Sequence, residues 1–144
     1  MIVLKRGENA FGVGPVLTLS IFGDGRVAFE PGEDHPLPIY KPAPPKPRMT
    51  PYHRSISQQQ LGELVLQMSS ADLFSMKDRY VDAGDGCPHV VSDQASFTLT
   101  FTLQSGEQKT IHHYQGCLDD ASDVSSVYPR PLRDLERRLL SFAE

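Results

Sequence analysis

The sequence predicts an α+β fold: an antiparallel sheet of about four to five strands in the order ββ(β)–αα–ββ–α, with the helices packed on one face. Three observations carry this. Two stretches, 15–22 and 96–103, alternate apolar and polar residues. Each runs through glycine-bearing turn residues into a second candidate strand. Two other stretches, after Ser57 and after Pro131, instead space their apolar residues by three and four. A period of two marks a strand with one buried face, and a period near 3.6 marks a helix.

The short apolar run Ile2-Val3-Leu4-Lys5 reads as an edge strand. In 15–22, Leu17, Leu19 and Ile21 share one face, with Thr18 and Ser20 on the other. Gly23-Asp24-Gly25 joins this strand to Arg26-Val27-Ala28-Phe29-Glu30, and glycines where a turn needs positive φ predict a hairpin. Residues 31–51 then hold eight of the twelve prolines. Proline lacks an amide donor and fixes φ, so this stretch is polyproline-like or irregular loop. It reads as an insert at about 31–54 inside one domain spanning 1–144, because neither flank is long enough to bury a core alone.

Ser57 and Gln60 form a capping box, with Ile56 and Leu61 placed as its hydrophobic staple. Leu61, Leu64, Val65 and Met68 continue as one apolar stripe. A short turn or helix follows over 71–76, then a loop rich in Asp and Gly over 81–93. In 96–103, Phe97, Leu99, Phe101 and Leu103 face one way. Ser105-Gly106 turns the chain into 108–114, and the register stays open. A two-residue loop puts His112 and Tyr114 on the Phe97 face, whereas a three-residue loop puts Ile111 and His113 there. The chain ends in a helix with Pro131 at its first position. Its stripe is Leu132, Leu135, Leu139 and Phe142, and Asp134 with Arg138 makes an i, i+4 pair.

The chain has 144 residues, a net charge of −4 and 39% hydrophobic residues. Its start lacks a leader pattern, and no window reaches the 18 or so apolar residues of a membrane span, so a soluble cytoplasmic protein is expected. The acidic balance opposes wholesale nucleic-acid binding. Between Asp34 and Glu63, however, Lys41, Lys46, Arg48 and Arg54 meet no acidic residue, which makes that segment +4.

Cys87-x-His89 and His113-x₃-Cys117 offer two thiolates and two imidazoles, the donors of a tetrahedral zinc site. The spacing is not a standard zinc pair, and a single bridge, a close thiol pair or independent residues are the alternatives. Otherwise no cofactor is implied. His112 and His113 would need a nucleophile or carboxylate in reach to act as acid–base catalysts, and neighbours on a strand point to opposite faces. Asp82-Ala83-Gly84-Asp85-Gly86 lacks the closing Glu of a calcium loop. Gly12-Val13-Gly14 and Gly23-Asp24-Gly25 are too short to cradle phosphate, and no Gly-x-Ser-x-Gly elbow occurs.

The insert carries the strongest functional signal. Lys41-Pro42-Ala43-Pro44-Pro45-Lys46-Pro47 is a Lys-x-x-Pro-x-x-Pro pattern, and a preformed polyproline helix loses little entropy on docking. Tyr40, Tyr52, Arg48 and Arg54 flank it. The expected function is a non-catalytic binding or accessory module contacting a protein partner through Tyr40, Lys41, Lys46, Arg48, Tyr52 and Arg54. One alternative is a metal-supported, hydrolytic domain on Cys87, His89, His113 and Cys117. The other is an accessory nucleic-acid-binding protein using the basic segment, its aromatics stacking on bases.

The order of elements also resembles a bacterial domain-of-unknown-function family. That family opens with Cys-Phe-Gly-x-Cys-Pro-x-Tyr and continues into an Asp-Gly-x-Val-x-Tyr hairpin. Here the first motif reads Ala10-Phe11-Gly12-Val13-Gly14-Pro15-Val16-Leu17, without either cysteine. The second reads Asp24-Gly25-Arg26-Val27-Ala28-Phe29. Residues 71–80 and 109–117 are similar to the family's segment after its first helix and to its last strand. The resemblance implies this fold class and a bacterial or phage-type source, and it implies no activity.

Overall fold

The computed structural model describes residues 1–7, 16–32 and 50–144. Its strands are β1 (Ile2–Arg6), β2 (Leu17–Ile21), β3 (Arg26–Pro31), β4 (Tyr52–Ser55), β5 (Arg79–Tyr80), β6 (His89–Val90), β7 (Ser96–Thr102), β8 (Gln108–Tyr114) and β9 (Cys117–Leu118). The helices are α1 (Gln58–Ser70) and α2 (Arg130–Ser141), with short 3₁₀ turns at Leu73–Ser75 and Ala83–Asp85. No helix among the described residues is long and apolar enough to cross a membrane.

Seven strands form one sheet in the order β4-β3-β2-β1-β7-β8-β5, and β6 and β9 make a separate ribbon. The sheet is therefore larger than the expected four to five strands. The additions are β4, inside what reads as insert, and the two-residue β5, which runs parallel to β8. Both lie at edges, where short strands with weak patterns suffice. Ile2–Arg6 is not an edge strand. It pairs with β2 on one side and β7 on the other, at the centre of the sheet. A five-residue run gives too little pattern to show that both of its sides are occupied.

Alternation decides which face is buried. Leu4, Leu19, Ile21, Val27, Phe29, Leu99, Phe101 and Ile111 are all at most 1% exposed, and they join Leu64 of α1 and Leu132, Leu135 and Leu139 of α2 in one core. The threonines of β7 alternate with these on the less buried face. The β7–β8 register pairs Leu99 with Ile111 and Phe97 with His113. This is the three-residue alternative, and it sends His113 inward.

The cap of α1 is as expected: Ser57 Oγ accepts from Gln60 N at 3.1 Å, and Gln60 Oε1 accepts from Ser57 N at 2.9 Å. Ser57→Ala is expected to cost about 1 kcal/mol, read as a drop in the denaturation midpoint at unchanged slope. The stripe of α1 is narrower than its spacing suggests. Leu64 is buried, Leu61 and Met68 are partly buried, and Val65 is 52% exposed. The first position of α2 is Arg130, with Pro131 one place later. Asp134 pairs with Arg133 rather than with Arg138, and Arg138 reaches Glu63 of α1.

Candidate functional site

Four of the residues expected to touch a partner, Tyr40, Lys41, Lys46 and Arg48, lie outside the described residues. The other two, Tyr52 and Arg54, stand on β4, the outer strand of the sheet. The β3–β4 register sets Tyr52 opposite Phe29 and Arg54 opposite Val27, so both share the core face. Tyr52 stacks on Phe29 with ring centroids 5.0 Å apart, and its hydroxyl donates to Phe142 O at 3.1 Å. The edge strand is thereby fastened to the end of α2.

That junction gathers two guanidinium groups. Arg54 lies over the Tyr52 ring at 5.8 Å, and Arg138 lies over the Phe142 ring at 5.1 Å. Arg54 Nη2 donates to Ser141 O across 3.4 Å, and Arg138 Nη2 donates to Glu63 Oε2 at 3.2 Å. Arg54 Nε is buried without a partner among the described residues. Between the two arginines is a polar concavity of about 340 Å³, lined also by Ser55, Ile56, Gln60 and Ser141. A second concavity, of about 250 Å³, is apolar. It lies between α1 and the ends of β1, β2 and β7, rimmed by the exposed side chains of Val65, Phe74 and Leu103.

The candidate zinc ligands are arranged differently from a metal site. Cys87 and Cys117 are joined as a disulfide, with Cα atoms 5.3 Å apart. The loop over 81–93 folds back so that β6 pairs with β9, which places Cys87 beside Cys117 at the end of the β7–β8 hairpin. Both sulfurs are consumed by that bond. His89 is exposed on β6, while His113 is buried and bonded through both ring nitrogens. No group of three or more His, Cys, Asp or Glu among the described residues is placed to hold a metal ion.

His113 belongs to a cluster of another kind. Its Nε2 is 2.9 Å from Tyr128 O, a carbonyl that can only accept, so Nε2 carries the proton. Its Nδ1 lies 2.6 Å from Glu136 Oε1, and Gln115 Nε2 donates to Glu136 Oε2 at 2.9 Å. One proton must therefore sit between Nδ1 and Oε1. Either Glu136 is a carboxylic acid donating to a neutral ring, or the ring is cationic and donates to a carboxylate. Burial pushes the Glu136 carboxyl above its ordinary range, opposed by the hydrogen bonds from His113 and Gln115. Tyr80 packs edge-on against both His113 and Tyr128, which closes the cluster from water. The cluster is 1–2% exposed at His113 and Glu136, so it braces α2 against β8 rather than meeting a substrate. His112, on the opposite face, sits at the surface with Nδ1 3.2 Å from Thr98 Oγ1.

Sequence reasoning missed Arg138, Gln60 as a lining residue, and Glu136. Glu136 did leave a signal. It occupies the i+4 place in the α2 stripe of Leu132, Leu135 and Leu139, where an apolar residue belongs.

A family model described as Domain of unknown function (DUF6438) matches residues 1–143. No curated protein matches the chain.

Proposed function

We propose, from the premise that the chain belongs to the DUF6438 family, that it is a non-catalytic binding module contacting a protein partner through its basic, proline-rich stretch and the edge strand that follows it. The observation that carries this reading is the position of Tyr52 and Arg54. They end the +4 segment and stand on the outermost strand, anchored to Phe29 and the end of α2. A recognition segment returning onto a rigid edge loses less ordering entropy on binding than one tethered loosely at both ends. The cations of the segment favour an acidic partner surface, with charge setting the encounter rate and the register. The Cys87–Cys117 bond favours an oxidising compartment in place of the cytoplasm expected from the sequence.

Deleting residues 38–50 tests the reading. The deleted chain is expected to keep its thermal unfolding transition and to lose a host protein that the full chain retains. Retention of the same proteins by both chains ends the proposal. If instead the same four cations carry a steeply salt-dependent binding of single-stranded oligonucleotides, the chain belongs with accessory nucleic-acid-binding proteins.

A further inference from the structure

We propose that the concavity between Arg54 and Arg138 is a carboxylate-binding site, and that its occupant is an acidic side chain of a protein segment. This rests on the reading of the chain as a protein-binding module, and it names the chemistry that module recognises. All the residues involved lie in the described body, so the site is separable from residues 38–50.

Two arginines on different elements converge here, one from β4 and one from α2. Each holds its guanidinium carbon over an aromatic ring, at 5.8 and 5.1 Å from the centroid, and the Tyr52 hydroxyl ties that residue to the Phe142 backbone through Phe142 O. A cation–π contact uses none of the guanidinium N–H donors, which stay free for an acceptor. Arg54 uses few of those donors. A guanidinium carries five donors, yet the described residues give Arg54 a single long bond, 3.4 Å to Ser141 O. Under-satisfied, half-buried donors of this kind want an acceptor. Arg138 is engaged once, through Nη2 on Glu63, whose side chain is 52% exposed and also accepts from Gln59.

Charge narrows the occupant. Two arginines and Glu63 leave the site with one net positive charge, which a single carboxylate neutralises. Around the cations stand neutral donors. The Gln60 side chain accepts from Ser57 N through Oε1, which fixes the amide and directs Nε2, a donor, away from the cap. Ser55 adds a hydroxyl on the same lining. A planar carboxylate matches the guanidinium fork in two parallel bonds, stronger and more directional than a contact with lysine.

Binding of a hexaglutamate peptide to the full chain, followed by titration calorimetry and by the Gln60 side-chain amide signal, tests the assignment. Arg54→Gln and Arg138→Gln are each expected to weaken binding about tenfold or more. Arg54→Lys, which keeps the charge but not the fork, is expected to lose most of the same affinity. Arg138 is partly exposed on a helix, so Arg138→Gln reads the site even if an Arg54 variant unfolds. The chain lacking residues 38–50 is expected to bind the peptide still. Peptide binding that ignores both glutamine variants overturns the site and leaves the module reading to its own deletion test. If acetate or inorganic phosphate at equal concentration competes as well as the peptide, the site takes free small anions and the protein-segment assignment falls.

Discussion

Replacing Glu136 by alanine is expected to destabilise the fold by about 3–5 kcal/mol, because it strips a buried hydrogen-bonded pair of one member. His113 Nδ1 would be left without its closest partner inside a site that is 1% exposed, and Gln115 would lose its acceptor. Glu136→Gln separates the two contributions to that loss. Glutamine fills the same volume, and its amide N–H can donate to Nδ1 while its oxygen accepts from Gln115, so most of the stability should remain. What should disappear is a pH dependence. Burial raises the Glu136 carboxyl above its ordinary value near 4.5, so the folded chain holds that proton more tightly than the unfolded chain. The resulting stability is present below the unfolded value and is lost as pH rises through the folded one. Wild type should therefore exceed Glu136→Gln most at acid pH, with the gap shrinking as pH rises. Urea denaturation of both proteins from pH 4 upward measures it. A gap that widens with pH would contradict a carboxyl raised by burial at Glu136.

The second large effect concerns the disulfide. Cys87 and Cys117 are 30 residues apart, and cross-linking a loop of that length restricts the unfolded chain by roughly 3–4 kcal/mol. The double substitution Cys87→Ala with Cys117→Ala is expected to lower stability by about that amount. The bond fastens the loop over 81–93 to the end of the main hairpin, where β6 and β9 otherwise contribute only two residues each. Cys117 is fully buried, so exposed thiol should appear only after reduction and unfolding together. Thiol titration of the denatured, unreduced chain checks the pairing directly. Two free thiols there would mean that the cysteines are not joined, and the expected loss would shrink to that of two small buried side chains.

The elements that the sequence made legible are those whose pattern is long or locally punctuated. The 96–103 alternation, the hairpin around Gly23–Gly25 and the Ser57–Gln60 cap are written within a few residues each, and each is found where its residues put it. Elements defined by distant partners were not legible. Tyr52–Ser55 carries no alternation of its own and is a strand because β3 offers it an edge. The placing of His113 turned on one residue of loop length, which periodicity cannot supply. The candidate site shows the same division. Arg54 stood out through local charge, whereas Arg138 reads in sequence only as a helix-surface cation paired with Asp134. It becomes a site residue through the crossing of α2 beside β4, a long-range fact. The cysteines were legible as neighbours, but their choice between a bond and a metal depends on His113, whose nitrogens are claimed by Glu136 and Tyr128.

The central position of β1 bears on how the chain is made. The strand is synthesised before both of its partners, and β2 follows it closely in the chain, yet its other side is completed only by β7, through Leu4 against Leu99. At about 5–20 residues per second, the intervening chain takes on the order of 5–20 s to synthesise. For that interval the nascent meander presents an open, aliphatic-sided strand to its surroundings. Translation speed over the middle of the message, and holdase occupancy while it is being read, should therefore govern the yield of folded protein.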